Sequence, residues 1–393
     1  MGSYFNFEEE GIGEKKPKKK RNLKKLILMI ALLVIVGGVV LFFAITGCSR
    51  APKADIAPDV ETVTVTDSCG REVEIPKEIT RVAPSGATAQ MVLETIAPEK
   101  LVGLSASFST DQRKFFPEEQ WYMPTFGQFY GSKSTLNTET LIAEDPQIII
   151  DIGDKKITHK ADMNSIQRQT GIPTIFIETS MDTFPDAYRQ LGEILGHEAE
   201  GEEMAEYVEK TINTARANAE KIPEKDRKSV MYGTSSTGLA CNAEGSVQAD
   251  VIETVGAANA IKVPEDEITN AGGGSLVNME EVYNAEPDVI IFTEGGPYSR
   301  IREGGSEWAE LKAVKNGEYY EIPGLPYCWM SGPPSINRIL GIWWLGNLLY
   351  PEVYDVDMVE KAQEFYKLFY RYDLSEQEAK QMMANSVFDK KGQ

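Results

Sequence analysis

The residues that could do metal or acid–base chemistry are few. There are two histidines, His159 and His197, and four cysteines, Cys48, Cys69, Cys241 and Cys328, with no CxxC spacing. Soft and borderline metal ions want three or four His or Cys ligands, so a zinc enzyme or a His-built cage is hard to assemble here. Both histidines sit at helix boundaries (KKITHKAD and LGHEAE), where a solvated side chain is expected. No GxSxG elbow, phosphate-binding loop or HExxH helix is present, so no catalytic constellation emerges. What remains is suited to holding a ligand. Residues 121–131, WYMPTFGQFYG, crowd five aromatics together. Phe129 and Tyr130 are candidates to meet a flat or greasy ligand, and interior packing is the alternative for each. Residues 324–338, GLPYCWMSGPPSINR, carry Tyr327 and Trp329 in a loop restricted by two prolines. Arg338 closes that loop, and it could pair equally with carboxylates of a ligand or with a buried acid. The glycines of GGGS, residues 272–275, could offer backbone N–H groups to an oxyanion or simply form a mobile loop.

The elements that would position these residues follow from the pattern of the chain. It has 393 residues, 42% hydrophobic and 25% charged, the balance of a globular protein able to bury a sizeable core. The net charge is −20. Such a surface repels phosphate backbones, and nucleic acid is not expected as a partner. Residues 15–25 hold eight Lys or Arg, and Leu26–Thr46 follow without a charge. About 20 apolar residues span a bilayer, and basic flanks stay cytoplasmic, so everything after residue 47 is expected to be exported. The run ends in Ile45-Thr46-Gly47-Cys48, which resembles a lipobox, with cleavage before Cys48 and lipid on its thiol. An uncleaved anchor gives the same topology. With Cys48 lipidated, three cysteines remain, an odd number that does not indicate a disulfide framework.

One internal match organises the exported part. Residues 136–150 read LNTETLIAEDPQIII, and residues 277–291 read VNMEEVYNAEPDVII. In both, Asn and Pro are nine residues apart, with Glu two residues after Asn. The pattern predicts a short helix stopping before Pro, then a buried parallel strand. Further strands are expected at 102–104, 172–177 and 230–232, and helices at 88–96, 184–195 and 247–255, an alternation that argues for parallel sheets with helices on both faces. Residues 198–221 are helical by spacing and would join two lobes stiffly. The expected division is a signal segment at 1–47, a tether at 48–60, an α/β lobe at 61–197, a connecting helix at 198–222, and a second lobe with C-terminal helices at 223–393. Ligands of open α/β sheets collect at the carboxyl ends of the strands.

With these residues in hand, the chain resembles the substrate-binding lipoproteins of ABC importers, in the class that captures metal chelates. RVAPSGATAQMVLETIAPEKLVGLS (81–105), DPQIIIDIG (145–153), GIPTIFIETSMDTFPDAYRQLGEILG (171–196), GSVQADVIETVGAANA (245–260), WAELKAVKNGEYYEIPG (308–324) and PPSINRILGIWWLGNLLYPE (333–352) match in the family's order. Gln147 departs from the acid that the second copy keeps as Asp288. The resemblance implies two Rossmann-like α/β lobes joined by one long rigid helix, the class III binding-protein arrangement, with ligand held between them. It implies a monomer without catalysis or resident cofactor, anchored through Cys48 outside the membrane and serving a permease driven by a cytoplasmic ATPase. A ferric siderophore or other iron complex is the expected cargo, with haem, cobalamin, molybdate and tungstate as alternatives. It also implies that Glu139 and Glu280, one on each lobe, dock on the permease; the alternative is that each only favours the first turn of its helix. Readings of another class are an extracytoplasmic α/β enzyme or a membrane-tethered sensor.

Overall fold

The β-branched and aromatic runs of the described residues form three sheets, an N-terminal hairpin and one larger sheet in each half of the sequence. The computed structural model describes residues 50–130, 134–269, 273–304 and 306–386. The basic and apolar N-terminal segment, Cys48 and Gly272 lie outside the described residues. Among the described residues no helix is long and apolar enough to cross a membrane.

A hairpin comes first. Strands β1 (Thr62–Thr66) and β2 (Glu72–Pro76) pair antiparallel. The alternating TVTVT and the DSCG turn carry this signal, which the two-lobe reading passed over. Asp67 shapes the turn by accepting the Cys69 and Arg71 amides at 3.0 and 2.9 Å.

The N-terminal half continues as β3 (Val82–Pro84), α1 (Ala87–Ile96), α2 (Thr138–Ala143), β4 (Ile148–Gly153), α3 (His159–Thr170), β5 (Thr174–Glu178) and α4 (Phe184–Leu195). Its sheet has the order β3-β4-β5, all parallel. Helix α5 (Glu198–Ala219) follows.

The C-terminal half contains β6 (Ser229–Thr234), β7 (Ala240–Cys241), α6 (Asp250–Thr254), β8 (Ala258–Asn259), β9 (Ser275–Leu276), α7 (Met279–Ala285), β10 (Val289–Phe292), α8 (Tyr298–Glu303), α9 (Lys312–Lys315), β11 (Tyr319–Glu321), α10 (Asn337–Leu349), α11 (Pro351–Tyr354), α12 (Met358–Tyr370) and α13 (Glu376–Met382). Its sheet runs β11-β10-β6-β7-β9, with β8 beside β6. This sheet is mixed, not wholly parallel: β7 runs antiparallel to both of its neighbours, β6 and β9. Both are two residues long, too short to read from periodicity.

The duplicated motif is a duplicated structure. Asn137 and Asn278 cap α2 and α7 by accepting the amides of Thr140 and Glu281 at 3.1 and 3.0 Å. Just before each proline, Asp145 and Glu286 take positive φ of 44° and 40°, and the chain turns into β4 or β10. Val82 pairs with Ile148 in one half, as Val230 pairs with Val289 in the other. The odd residue of the pattern does the same work in both. Gln147 Oε1 accepts the Thr80 amide at 2.7 Å, and Asp288 Oδ2 accepts the Ser229 amide at 2.9 Å. An amide oxygen and a carboxylate oxygen both accept, so Gln147 keeps the bond of the pattern without its charge. Only the second copy has a full capping box, because Glu281 also accepts the Asn278 amide at 2.7 Å. Asn278→Ala is expected to lower unfolding free energy by about 1 kcal/mol, checked by urea melts of the variant against the parent.

Helix α5 matches the expected start and ends at Ala219. It lies against α4 on one side and against α10, α11 and α6 on the other. Its contact with α4 is close because glycines face each other there. A Cβ at Gly201 would meet the Tyr188 carbonyl oxygen at 2.6 Å, and one at Gly192 the His197 carbonyl oxygen at 2.8 Å. Met204, Val208 and Ile212 are buried along it, each stabilising by about 2 kcal/mol as apolar area leaves water.

A second join was not expected. One cluster of buried apolar side chains runs from β2 and α1 through α4, α5, α10 and α12. Within it, Phe115 packs on Tyr366 and Tyr372 with ring centroids at 5.5 and 4.8 Å, and Phe116 packs on Tyr327 and Tyr370 at 6.0 and 5.8 Å. This aromatic seam ties the 105–116 loop of the first half to the C-terminal helices.

Candidate functional site

The parallel strands set the site, because their carboxyl ends carry the loops that bear the polar side chains. In the first half the residue after β3 is Ser85, fully buried, and β4 carries Asp151 within its apolar run, 3% exposed. Ser85 Oγ donates to Asp151 Oδ1. Tyr130 OH donates to Asp151 Oδ2 at 2.8 Å and lies 3.0 Å from His159 Nε2. His159 Nδ1 accepts the Lys156 backbone amide at 3.0 Å. The neutral ring therefore carries its proton on Nε2, and the chain of donors runs His159 to Tyr130 to Asp151.

Burial, partly offset by the bonds from Ser85 and Tyr130, pushes the Asp151 carboxyl up to about 6. Burial and the Lys156 charge push His159 down to about 4. Burial and the adjacent Asp151 hold the Tyr130 phenol far above its usual range. Tyr130 is thus a neutral donor with an occupied hydroxyl, poorly placed to be a phenolate ligand to iron. His159 is 2% exposed, which corrects the expectation of a solvated ring: the N-terminus of α3 folds against Phe176, with ring centroids 4.2 Å apart.

The second wall comes from the loop between β11 and α10. Tyr327 is half-buried, and its hydroxyl donates to Glu94 Oε2 of α1 at 2.8 Å. Glu94 also accepts from Gln90 at 2.8 Å, and burial raises its carboxyl to about 8. Gln112 Nε2 donates to the Pro326 carbonyl at 2.8 Å, a second bond from the first half to this loop.

Arg338, in the first turn of α10, is the most deeply placed charge between the halves, at 1% exposure. Its Nη2 donates to the Thr179 carbonyl, just past β5. Asp154 of the first half stands 4.0 Å from it and Asp250 of the second 3.7 Å. Burial, opposed by Arg338, raises Asp154 and brings Asp250 up to about 6.

A cavity of about 500 Å³ opens beside these loops. Asp111 and Lys114 line it from the first half, Glu294 and Glu321 from the second, and Glu378 from α13. Glu378 is held down to about 2, chiefly by the Tyr372 hydroxyl and Ser375. This wall is acidic and favours cationic groups over anions.

The structure therefore separates the residues singled out from sequence. Tyr130, Tyr327 and Arg338 stand at the strand ends with polar partners. Phe129 is 5% exposed and packs with Phe126, Leu141 and Ile149 under the first sheet. Trp329 is fully buried, its Nε1 donating to Tyr366 OH at 3.2 Å, so its ring faces the core. Glu139 and Glu280 are exposed in the first turns of α2 and α7. Asp151, Asp154, Asp250 and Glu94 went unnoticed in the sequence. Asp151 had a signal, an acid inside the buried run IIIDIG, and Glu94 interrupts the apolar face of α1 in the same way. Cys69, Cys241 and Cys328 are free thiols. Among the described residues no group of three or more His, Cys, Asp or Glu could hold a metal ion.

The chain is similar to known proteins. The chain is 24% identical over 340 residues to the molybdate-binding protein MolA of Haemophilus influenzae, covering 78% of this chain and 90% of that protein. It is 22% identical over 197 residues to the Fe(3+)-citrate-binding protein YfmC of Bacillus subtilis, covering 49% of this chain and 58% of that one. The solved ABC transporter solute binding protein from Sulfurospirillum deleyianum has the same fold, with a TM-score of 0.74 at 24% identity, over 82% of this chain and 99% of that one. The periplasmic binding protein family matches residues 82–325, well over half of the sequence and including both copies of the repeat, and the chain belongs to that family.

Proposed function

We propose that this chain is the solute-binding component of an ABC importer. It holds a metal in complexed form, a ferric chelate or an oxyanion such as molybdate, between its halves and delivers it to a permease powered by a cytoplasmic ATPase. The observation that carries this reading is one buried cationic group between the halves, Arg338, flanked by Asp154 from one half and Asp250 from the other. Relatives named for molybdate and for ferric citrate support the choice of cargo. A chelated metal needs no His or Cys cage from the protein, which suits a chain with two histidines. Helix α5, about 33 Å long at 1.5 Å per residue, acts as a stiff rod between the lobes, and the aromatic seam limits their motion further. Cys48 anchors the protein by lipid on the outer face of the membrane. Glu139 and Glu280 dock on the permease.

Titration of the purified chain with ferric citrate, a ferric siderophore, haemin, cobalamin, molybdate and tungstate is expected to give one clear hit with a Kd of about 1 μM or tighter, read by Trp fluorescence or calorimetry. No binding by any of them would sink the cargo assignment.

A further inference from the structure

Ordinary buried ion pairs close to about 2.7–2.9 Å. Arg338 does not close on either of its acids, which stand 4.0 and 3.7 Å away. Its Nε and Nη1 have no hydrogen-bond partner, although the side chain is 1% exposed. Two residues whose carbonyls bond Arg338 carry hydroxyls in the same condition. Thr179, whose carbonyl accepts Arg338 Nη2, has an unpartnered buried Oγ1; Ser335, whose carbonyl accepts the Arg338 amide at 3.1 Å, has an unpartnered buried Oγ. Unmade bonds of buried donors are costly, and two on one guanidinium, with unmet hydroxyls on two residues bonded to Arg338, point to a place for an acceptor.

The backbone adds to this. Helix α10, 13 residues long, begins at Asn337 beside Arg338 with no side-chain cap and no acid in its first turn. Helix α4, 12 residues long, begins at Phe184, whose ring centroid lies 5.8 Å from the Arg338 guanidinium carbon. The first turn of α10 therefore favours negative charge beside Arg338, whereas that of α4 already holds Asp186 and touches Arg338 through the Phe184 ring.

The acids complicate the site. Asp154 feels Arg338 and Lys156, and Asp250 feels Arg338, Asp154, Glu253 and Asp182. One cation facing two carboxylates is net negative, so an incoming anion is repelled unless one carboxylate takes up a proton from solvent. We propose that Arg338, Thr179 and Ser335 form an oxyanion subsite whose occupation is coupled to proton uptake by Asp250 and Asp154, so that anion affinity rises as pH falls. The ligand class is a carboxylate of a metal chelate or a tetrahedral metal oxyanion. This rests on the solute-binding reading above and adds to it the position and the proton linkage.

The sign follows from Asp250, whose carboxyl is already raised to about 6. Below pH 6 it is protonated before the anion arrives, and affinity is flat. Above pH 6 each bound anion must draw a proton, so affinity falls about tenfold per pH unit. The test is calorimetric titration of the full chain with molybdate and with ferric citrate between pH 5.5 and 8, in pairs of buffers of different ionisation enthalpy. The expected result is uptake of about one proton near pH 7.5 and a Kd that tightens by roughly tenfold from pH 7.5 to 6.5. Asp250→Asn, at a side chain one-third exposed, is expected to bind at pH 7.5 as tightly as the parent does at pH 6 and to lose most of the pH dependence. Arg338→Gln is expected to bind at least tenfold more weakly at every pH, with Arg338→Lys intermediate. Binding that is independent of pH, exchanges no proton, or survives unchanged in Arg338→Gln would overturn the subsite while leaving the solute-binding reading intact. Absence of binding by both probes at every pH would overturn the subsite, and the wider ligand panel then decides the solute-binding reading separately.

Discussion

Reversing both Glu139 and Glu280 to lysine is expected to cut solute uptake by at least a hundredfold while leaving solute affinity within about twofold of the parent. Both side chains are exposed and lie on helices built by the duplicated motif, so the two halves present the same acid in the same local frame. Three residues further along each helix, on the same face, stands an exposed apolar side chain, Ile142 at 54% and Tyr283 at 37%. An acid beside an apolar side chain, offered twice, suits a partner surface with two cationic recesses. Losing one charge of a hydrogen-bonded interface pair costs about 2–5 kcal/mol, and reversal adds repulsion. The competing role is local: an acid in the first turn stabilises its helix by about 0.3–1 kcal/mol. If that is all these residues do, the double variant will melt slightly earlier and transport normally. The measurement is labelled-solute uptake by cells carrying the double variant in place of the parent chain, set beside titration of the purified protein.

Gly341→Ala is expected to destabilise the protein by about 3 kcal/mol, near the upper end for an overpacked site, and to weaken solute binding with it. A Cβ there would lie 2.0 Å from the Trp329 carbonyl oxygen and 2.9 Å from its carbonyl carbon. Both are backbone atoms, so no rotamer change relieves the clash. Either α10 or the 323–336 loop must shift. Trp329 is fully buried and hydrogen-bonded to Tyr366, so the loop cannot move without disturbing the aromatic seam. Arg338 is one turn earlier on α10, so a helix displaced by even a fraction of an ångström moves the guanidinium from its acids. Thermal unfolding followed at 280 nm reads the first effect, and titration of the same sample the second. A variant as stable as the parent would show that this contact is slack.

Much of this protein could be read from local sequence. The Asn–Pro frame, the acid after it and the β-branched run are contained within fifteen residues, so both copies of the strand–helix unit were legible, as was α5 from its apolar spacing. Capping, proline and burial patterns act over one or two turns, and the sequence displays them directly. The site was legible only in part. Arg338, Tyr130 and Tyr327 stood out by type and by loop context. Their partners did not, because Asp154 and Asp250 meet Arg338 across 184 and 88 residues of chain, and Glu94 meets Tyr327 across 233. Composition cannot say which aromatic of a cluster turns inward, and Phe129 and Trp329 went to the core while Tyr130 and Tyr327 kept polar partners. The same holds for His159, whose ring is buried by the fold of α3 against β5. Folding together distant strand ends sets burial, and burial sets both the raised carboxyls of Asp154 and Asp250 and the unmet hydrogen bonds of Arg338.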